Sequence, residues 1–200
     1  MKETISNEDW FFLCKRIKKE RAIKIIKYAK QYFEPALKQF PELKGKVHLV
    51  LRKKGWFADY KPALHIVIRE EALVNSSEWR IRSTTAHELL HLVQFINGIG
   101  LDKQNNLQIE RQATFLSFAR NFAYDFLKSF PVECKKETCN HTFKYEYFCC
   151  KTIFSKCCKE YSDEKLKLLA RRLKKEAKKY SLNDNPDYKN IIYQSLIGGI

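Results

Sequence analysis

The residues best placed to do chemistry stand in "TTAHELLHLV", positions 84–93, where His87 and His91 are four apart and Glu88 follows the first of them. Positions four apart on a helix share a face, so both imidazoles can aim a ring nitrogen at one ion, at roughly 2.0 to 2.1 Å if that ion is zinc. Glu88 would then lie beside the ion, where a general base can take a proton from a zinc-bound water whose pKa has fallen to about 7. A catalytic zinc also needs a third protein ligand while keeping one position open, and the next helical segment offers Glu110. The same face of that segment carries Ala113, Thr114, Ser117, Asn121 and Tyr124, and its small residues would let it approach the histidine helix closely. The competing reading is an amphipathic helix with two partly buried histidines, since a five-residue pattern is short enough to arise by chance. For the oxyanion of a hydrolytic intermediate the candidates are Tyr124 and Tyr60.

A second concentration of reactive groups lies downstream. Of the seven cysteines, six (Cys134, Cys139, Cys149, Cys150, Cys157 and Cys158) fall in one short segment with His141, and only Cys14 stands apart. Such a cluster is either a structural zinc site or a local set of disulfides; the two C-x-x-C knuckles of a zinc ribbon are absent. His48 and His65 sit in strand-like stretches and are expected to be structural.

The elements that must position these residues are legible from periodicity. Apolar residues keep a helical period from Trp10 to about Phe33, and Pro35 and Pro41 punctuate a turn. Alternation over Val47 to Arg52 and over Leu64 to Arg69 predicts two strands, and the glycine and proline between them suggest a hairpin with a long loop. Asn75 and Glu78 resemble a cap for a helix from about Ser77 to Asn97, closed by Gly98 and Gly100. Another helix is expected from Leu107 to Phe130, ending at Pro131. Ser162 caps a last, lysine-rich helix with the stripe Leu166, Leu169, Leu173, Ala177 and Tyr180.

With "HELLH" on one helix and "ERQATFL" on the next, the chain resembles the gluzincin metallopeptidases over about Val47 to Phe130, and within them the minimal and ImmA/IrrE-type members. The resemblance implies a zincin-like α+β fold: a small antiparallel sheet packed on a histidine helix and a glutamate helix, here with a helical, Cys-rich C-terminal extension. It implies zinc held by His87, His91 and Glu110, and peptide-bond hydrolysis with Glu88 as the base. In that family a strand ahead of the histidine helix pairs with extended substrate, a role His65 to Arg69 would fill here. ImmA/IrrE-type members often carry glycine where Leu90 stands and asparagine or aspartate where Thr114 stands. The metzincin pattern is disfavoured, because Gln94 and Asn97 occupy its glycine and third-ligand positions.

The organisation expected is a zincin-like domain over 1–131, a Cys-rich segment over 132–160, and a basic helix with a tail over 161–200. The 44% hydrophobic and 14% aromatic content can build a core. Neither a signal peptide nor an apolar run of about 18 residues is evident, so no membrane span and a cytoplasmic site are expected. A formal charge of +15 attracts polyanions, which leaves nucleic acid as a partner through the basic surface beside a peptide or protein substrate. Two alternatives to a plain peptidase follow from that charge. One is likeness to SprT-like proteases acting on DNA-bound proteins, which would make His141 the third ligand. The other is a regulatory nucleic-acid-binding protein that keeps a zincin unit. The apolar tail "IIYQSLIGGI" would fold back as an extended strand into the cleft and restrain activity. Oligomeric state is not legible.

Overall fold

The computed structural model describes residues 19–52, 57–59, 64–99, 106–133 and 162–197. The start of the first helix with Cys14, the loop tyrosine Tyr60, and the whole Cys134–Cys158 segment with His141 fall outside the described residues.

Helix α1 (Lys19–Tyr28) widens into a π-type turn at Ala29–Phe33 and continues as the short α2 (Glu34–Leu37). The widening falls just ahead of Pro35, whose ring removes the N–H that a regular α ladder would use. A 3-10 turn at Pro41–Leu43 leads into β1 (Val47–Arg52). Then come β2 (Phe57–Asp59), β3 (Leu64–Arg69), α3 (Glu70–Asn75) and α4 (Glu78–Ile96), which carries the histidines. Helices α5 (Asn106–Ser117) and α6 (Ala123–Glu133) flank a kink at Phe118–Phe122, and α7 (Asp163–Ala177) and α8 (Tyr188–Ile197) complete the described chain.

The two expected strands exist, but the sheet is not an antiparallel hairpin. β1 and β3 run parallel, with His48 opposite His65, and the three-residue β2 pairs antiparallel with the other side of β3. The strand order is therefore β1-β3-β2. Alternation of apolar and polar residues reports which face is buried (Val47, Leu49 and Ile66 enter the core) and is silent about strand direction or neighbour. The antiparallel partnership that the expected hairpin would have made falls to β2, which precedes β3 in the chain. One further expectation changes with this. β3 is flanked on both sides over His65 to Val67, so that stretch offers no free edge for an extended substrate.

Helix α4 is the centre of the molecule. From Thr85 to Gln94 every residue except His87 is buried, and α4 packs against α1–α2, the sheet, α5 and α6. Leu89, Leu90 and Leu92 each contribute roughly 1.5–3 kcal/mol by leaving water. Its N-terminus is capped by Ser77, whose Oγ accepts from the Arg80 N–H at 3.3 Å, two residues past the Asn75 expected from sequence. At its C-terminus Gly98 takes φ +77°, a left-handed value that lets the Ile99 N–H return to the Gln94 carbonyl at 3.0 Å.

The single helix expected from Leu107 to Phe130 is two. Asn121 adopts φ 77°, ψ 14°, which breaks the ladder, and the second half runs on through Pro131 to Glu133. Asparagine tolerates the left-handed region, and its side chain is held on both sides: Nδ2 donates to Gln39 Oε1 and Oδ1 accepts from Lys174. Arg120 beside it pairs with Glu42 and lies 4.6 Å over the Phe40 ring. The stripe Leu166, Leu169, Leu173 and Ala177 of α7 is buried as expected. The tail is not an extended strand in a cleft: Tyr188–Ile197 is helical, with Tyr188 and Ile192 in the same core. No helix among the described residues is long and apolar enough to cross a membrane.

An ion pair with one buried partner ties α4 to α6. Arg82 Nε donates to Asp125 Oδ1 at 2.9 Å, and Asp125 keeps 4% side-chain exposure. Burial pushes the Asp125 carboxyl up to about 6 even though the Arg82 charge pulls it down. Between about pH 4 and 6 the folded chain therefore holds a proton that the unfolded chain has released, so this group's stabilisation is full below that window and is lost as pH rises through it. Urea unfolding of metal-free Asp125→Asn and native protein at pH 4.5 and 7.5 checks this. The variant is expected to gain about 2 kcal/mol relative to the native chain over that interval.

Candidate metal centre

Helix α4 presents His87 and His91 on one face, with the rings 4.5 Å apart and nearly perpendicular. Helix α5 brings Glu110 against them, over Ala113, which is fully buried and allows the approach. His87 Nε2 lies 2.8 Å from Glu110 Oε2 and 3.0 Å from His91 Nε2, and His91 Nε2 lies 3.4 Å from the same carboxylate oxygen. Donors about 2.0 to 2.1 Å from one ion stand about 2.9 Å apart at right angles and about 3.3 Å apart at the tetrahedral angle. The triangle spans that range, and a point about 2 Å from all three atoms lies about 1 Å off its plane. Among the described residues these three form the one histidine, cysteine or carboxylate group able to hold a metal ion.

Both imidazoles are oriented from behind. His91 Nδ1 is 2.8 Å from Gln94 Oε1, and the Gln94 amide nitrogen donates to the Ile109 carbonyl at 3.0 Å and to Gln112 Oε1 at 2.9 Å. With the amide nitrogen so placed, Oε1 is the acceptor, Nδ1 carries the ring proton, and the Nε2 lone pair faces the triangle. His87 Nδ1 lies 3.0 Å from the Thr114 hydroxyl, which can accept the ring proton and turn the second Nε2 inward likewise. Thr114 thus acts where the resemblance leads one to expect asparagine or aspartate.

The polar chain continues outward. Gln112 Nε2 donates to the carbonyls of Leu182 and Asp184 and to the Tyr188 hydroxyl, which itself donates to the Asp184 carbonyl at 2.7 Å. Residues of the C-terminal segment therefore hold the glutamine that holds Gln94. All of these amide groups are buried and satisfied, which fixes their orientation.

The electrostatics suit a cation. Burial pushes the Glu110 carboxyl up, but hydrogen bonds and charge from His87 and His91 outweigh it and hold the group well below the usual carboxylate range. Burial pushes His91 down, and the Glu110 hydrogen bond with the charges of Glu88 and Glu110 carries it net above its ordinary value. Glu88 is buried at 3% exposure one residue beyond His87, and its charge also helps to keep Tyr28 protonated. Tyr28 donates to Thr85 Oγ1 at 2.7 Å, because the Thr85 hydroxyl is already given to the Ile81 carbonyl. The remaining exposure belongs to His87 and Glu110, whose side chains are 16% and 18% accessible, so the triangle is reached from that side.

The chain matches no family model, no curated protein and no solved structure.

Of the residues marked in the sequence, His87, His91 and Glu110 meet, and Glu88 is buried beside them. Tyr124 does not join them. Its hydroxyl donates to Asp163 at the start of α7, its ring stands edge-on to Trp79 at 5.4 Å, and burial, then the hydrogen bond to Asp163 and its charge, push it up to about 12. His48 and His65 lie side by side across β1 and β3, ring centres 5.6 Å apart, and are not part of the metal-capable group. Gln94 entered the sequence reading only as a mismatch to the metzincin pattern and Gln112 not at all; the available signal for an orienting role was an uncharged polar residue on a helix face otherwise apolar.

Replacing Gln94 by leucine, or Thr114 by valine, keeps size and removes one orienting partner. Each change is expected to weaken metal binding 10- to 100-fold while the fold persists. Competitive titration against a chromophoric chelator, with circular dichroism of the same samples, reads both quantities.

Proposed function

We propose that the chain is a zinc-dependent peptidase in which His87, His91 and Glu110 hold the ion and Glu88 is the general base. The observation carrying this reading is the convergence of two imidazole nitrogens and one carboxylate oxygen within 3.4 Å of one another, with a buried glutamate next to the first histidine. Two histidines and a glutamate, with a position left open, are a catalytic zinc ligand set. The resemblance of "HELLH" and "ERQATFL" to the gluzincins supports the same assignment, although the sheet here is mixed.

A bound zinc would supply Lewis acidity toward a scissile carbonyl and lower the pKa of water to about 7. The protein's own groups do the rest. Glu88, almost out of bulk solvent, accepts a proton from the attacking water and returns it to the departing amine. His87 and His91 keep fixed ring orientations through Thr114 and Gln94, so geometry is set before substrate arrives. Burial of Glu88 against His91 strengthens each of these interactions by lowering the local dielectric. With β3 internal to the sheet over His65 to Val67, an extended peptide would have to lie along another surface near His87 and Glu110.

Metal analysis of the full chain together with Glu110→Ala and Glu88→Gln tests the reading. One zinc per chain is expected at this site; it is lost in Glu110→Ala and kept in Glu88→Gln, and peptide hydrolysis falls by more than a hundredfold in both. Iron in place of zinc would indicate a two-histidine, one-carboxylate redox site instead, and hydrolysis unchanged by Glu88→Gln would place activity elsewhere.

A further inference from the structure

Where the α5–α6 kink meets α7 there is a cavity of about 450 Å³ lined by Asn121, Ala123, Tyr124, Lys167, Arg171 and Lys174, among others. Its charged lining is entirely cationic. Lys167 is partly neutralised, since its Nζ is 2.8 Å from Asp163 Oδ2, at the end of the cavity nearest the start of α7. Lys174 bonds a neutral oxygen, Asn121 Oδ1, and Arg171 has no acidic partner among the described residues.

These cations do not stop at the cavity. Lys167, Arg171, Lys174 and Lys178 follow one another at helical spacing along α7 and its C-cap, so these four share one face, while Lys165, Arg172 and Lys175 stand off that line. At 1.5 Å per residue the stripe is about 16 Å long, the axial rise of about five successive phosphates in one strand of a duplex. A single small anion would use one or two of these groups. A row of phosphates uses all of them.

The other large anionic surface, a membrane, fits poorly. A helix that lies on a bilayer inserts its apolar face, and the apolar face of α7 is spent inside the protein on Leu166, Leu169, Leu173 and Ala177. What α7 has left to offer is a cationic ridge above a groove. Lys179, which pairs with Glu176, lies off the stripe and takes no part.

We propose that this groove and stripe bind the phosphodiester backbone of a nucleic-acid strand, with Lys167, Arg171, Lys174 and Lys178 each facing a phosphate. The contact is to backbone and is independent of base sequence, because a row of cations spaced along a strand meets the same phosphate charge whatever the bases. It stands apart from the metal centre and holds whether or not the chain cleaves peptides.

Fluorescence anisotropy of the full zinc-loaded chain with a labelled twelve-nucleotide oligothymidylate, repeated with oligouridylate and at 50 and 200 mM salt, tests it. Binding of either strand is expected, with a log–log salt slope between about −2 and −3 for three to four phosphate contacts. The triple variant K167Q/R171Q/K174Q should bind at least tenfold more weakly, with a slope shallower by about 2, while K167R/K174R binds as the native chain does. A control that removes the same charge from the first helix and turn, K27Q/K30Q/K38Q, should retain most of the affinity. Equal loss in that control would reduce the effect to net charge. No binding at 50 mM salt, displacement by inorganic phosphate at matched phosphate concentration, or equally tight binding of polyglutamate would each overturn a strand-binding groove.

Discussion

Everything around the centre depends on one interaction: a carboxylate oxygen of α5 held between two imidazole nitrogens of α4. Three groups with lone pairs aimed at a common point repel one another unless a cation or a proton stands between them. Burying such a set is costly, so it persists only where the surrounding framework fixes all three side chains. Here the framework is α4, which is buried from Thr85 to Gln94 at every position but His87. The small residues of α5, with fully buried Ala113 at the contact, set the separation that makes the oxygen a partner of both rings.

The second constraint comes from behind the rings. Nδ1 of His91 is held by a glutamine, which is held by another glutamine, which is held by backbone carbonyls and a tyrosine of the C-terminal segment. Glutamine suits this place because one amide both accepts from the ring and donates onward, passing orientation along without adding charge. The consequence for the architecture is that α8 and the loop before it are part of the site's support, some 70 residues away in sequence. That is why α7 and α8 share the core of α4–α6 instead of hanging as an appendage.

Much of this was legible in the sequence, and the gaps have physical reasons. His87 and His91 were legible because a spacing of four has one geometric meaning on a helix, and Glu110 because a catalytic zinc needs a third ligand and the next helical segment carries a carboxylate beside small residues. The strand direction was not legible, since alternation in Val47 to Leu51 and Leu64 to Arg69 fixes a face and leaves the neighbour open. The break at Asn121 was hidden because apolar residues continue on both sides of it and no glycine or proline marks the kink. Tyr124, on the face of Glu110 by helical arithmetic, falls beyond that break and is turned to Asp163 instead. The glutamine chain was invisible for a different reason: its partners are backbone carbonyls, and no spacing rule announces those.

The most direct measurement is crystallographic, with anomalous difference density recorded on both sides of the zinc absorption edge from crystals of the full chain grown with zinc. The expected result is a peak present only above the edge, roughly 2.0 to 2.1 Å from His87 Nε2, His91 Nε2 and Glu110 Oε2. Well-ordered side chains at this triangle with no peak between them would contradict a metal centre, and with it the reading of Glu88 as a base beside one.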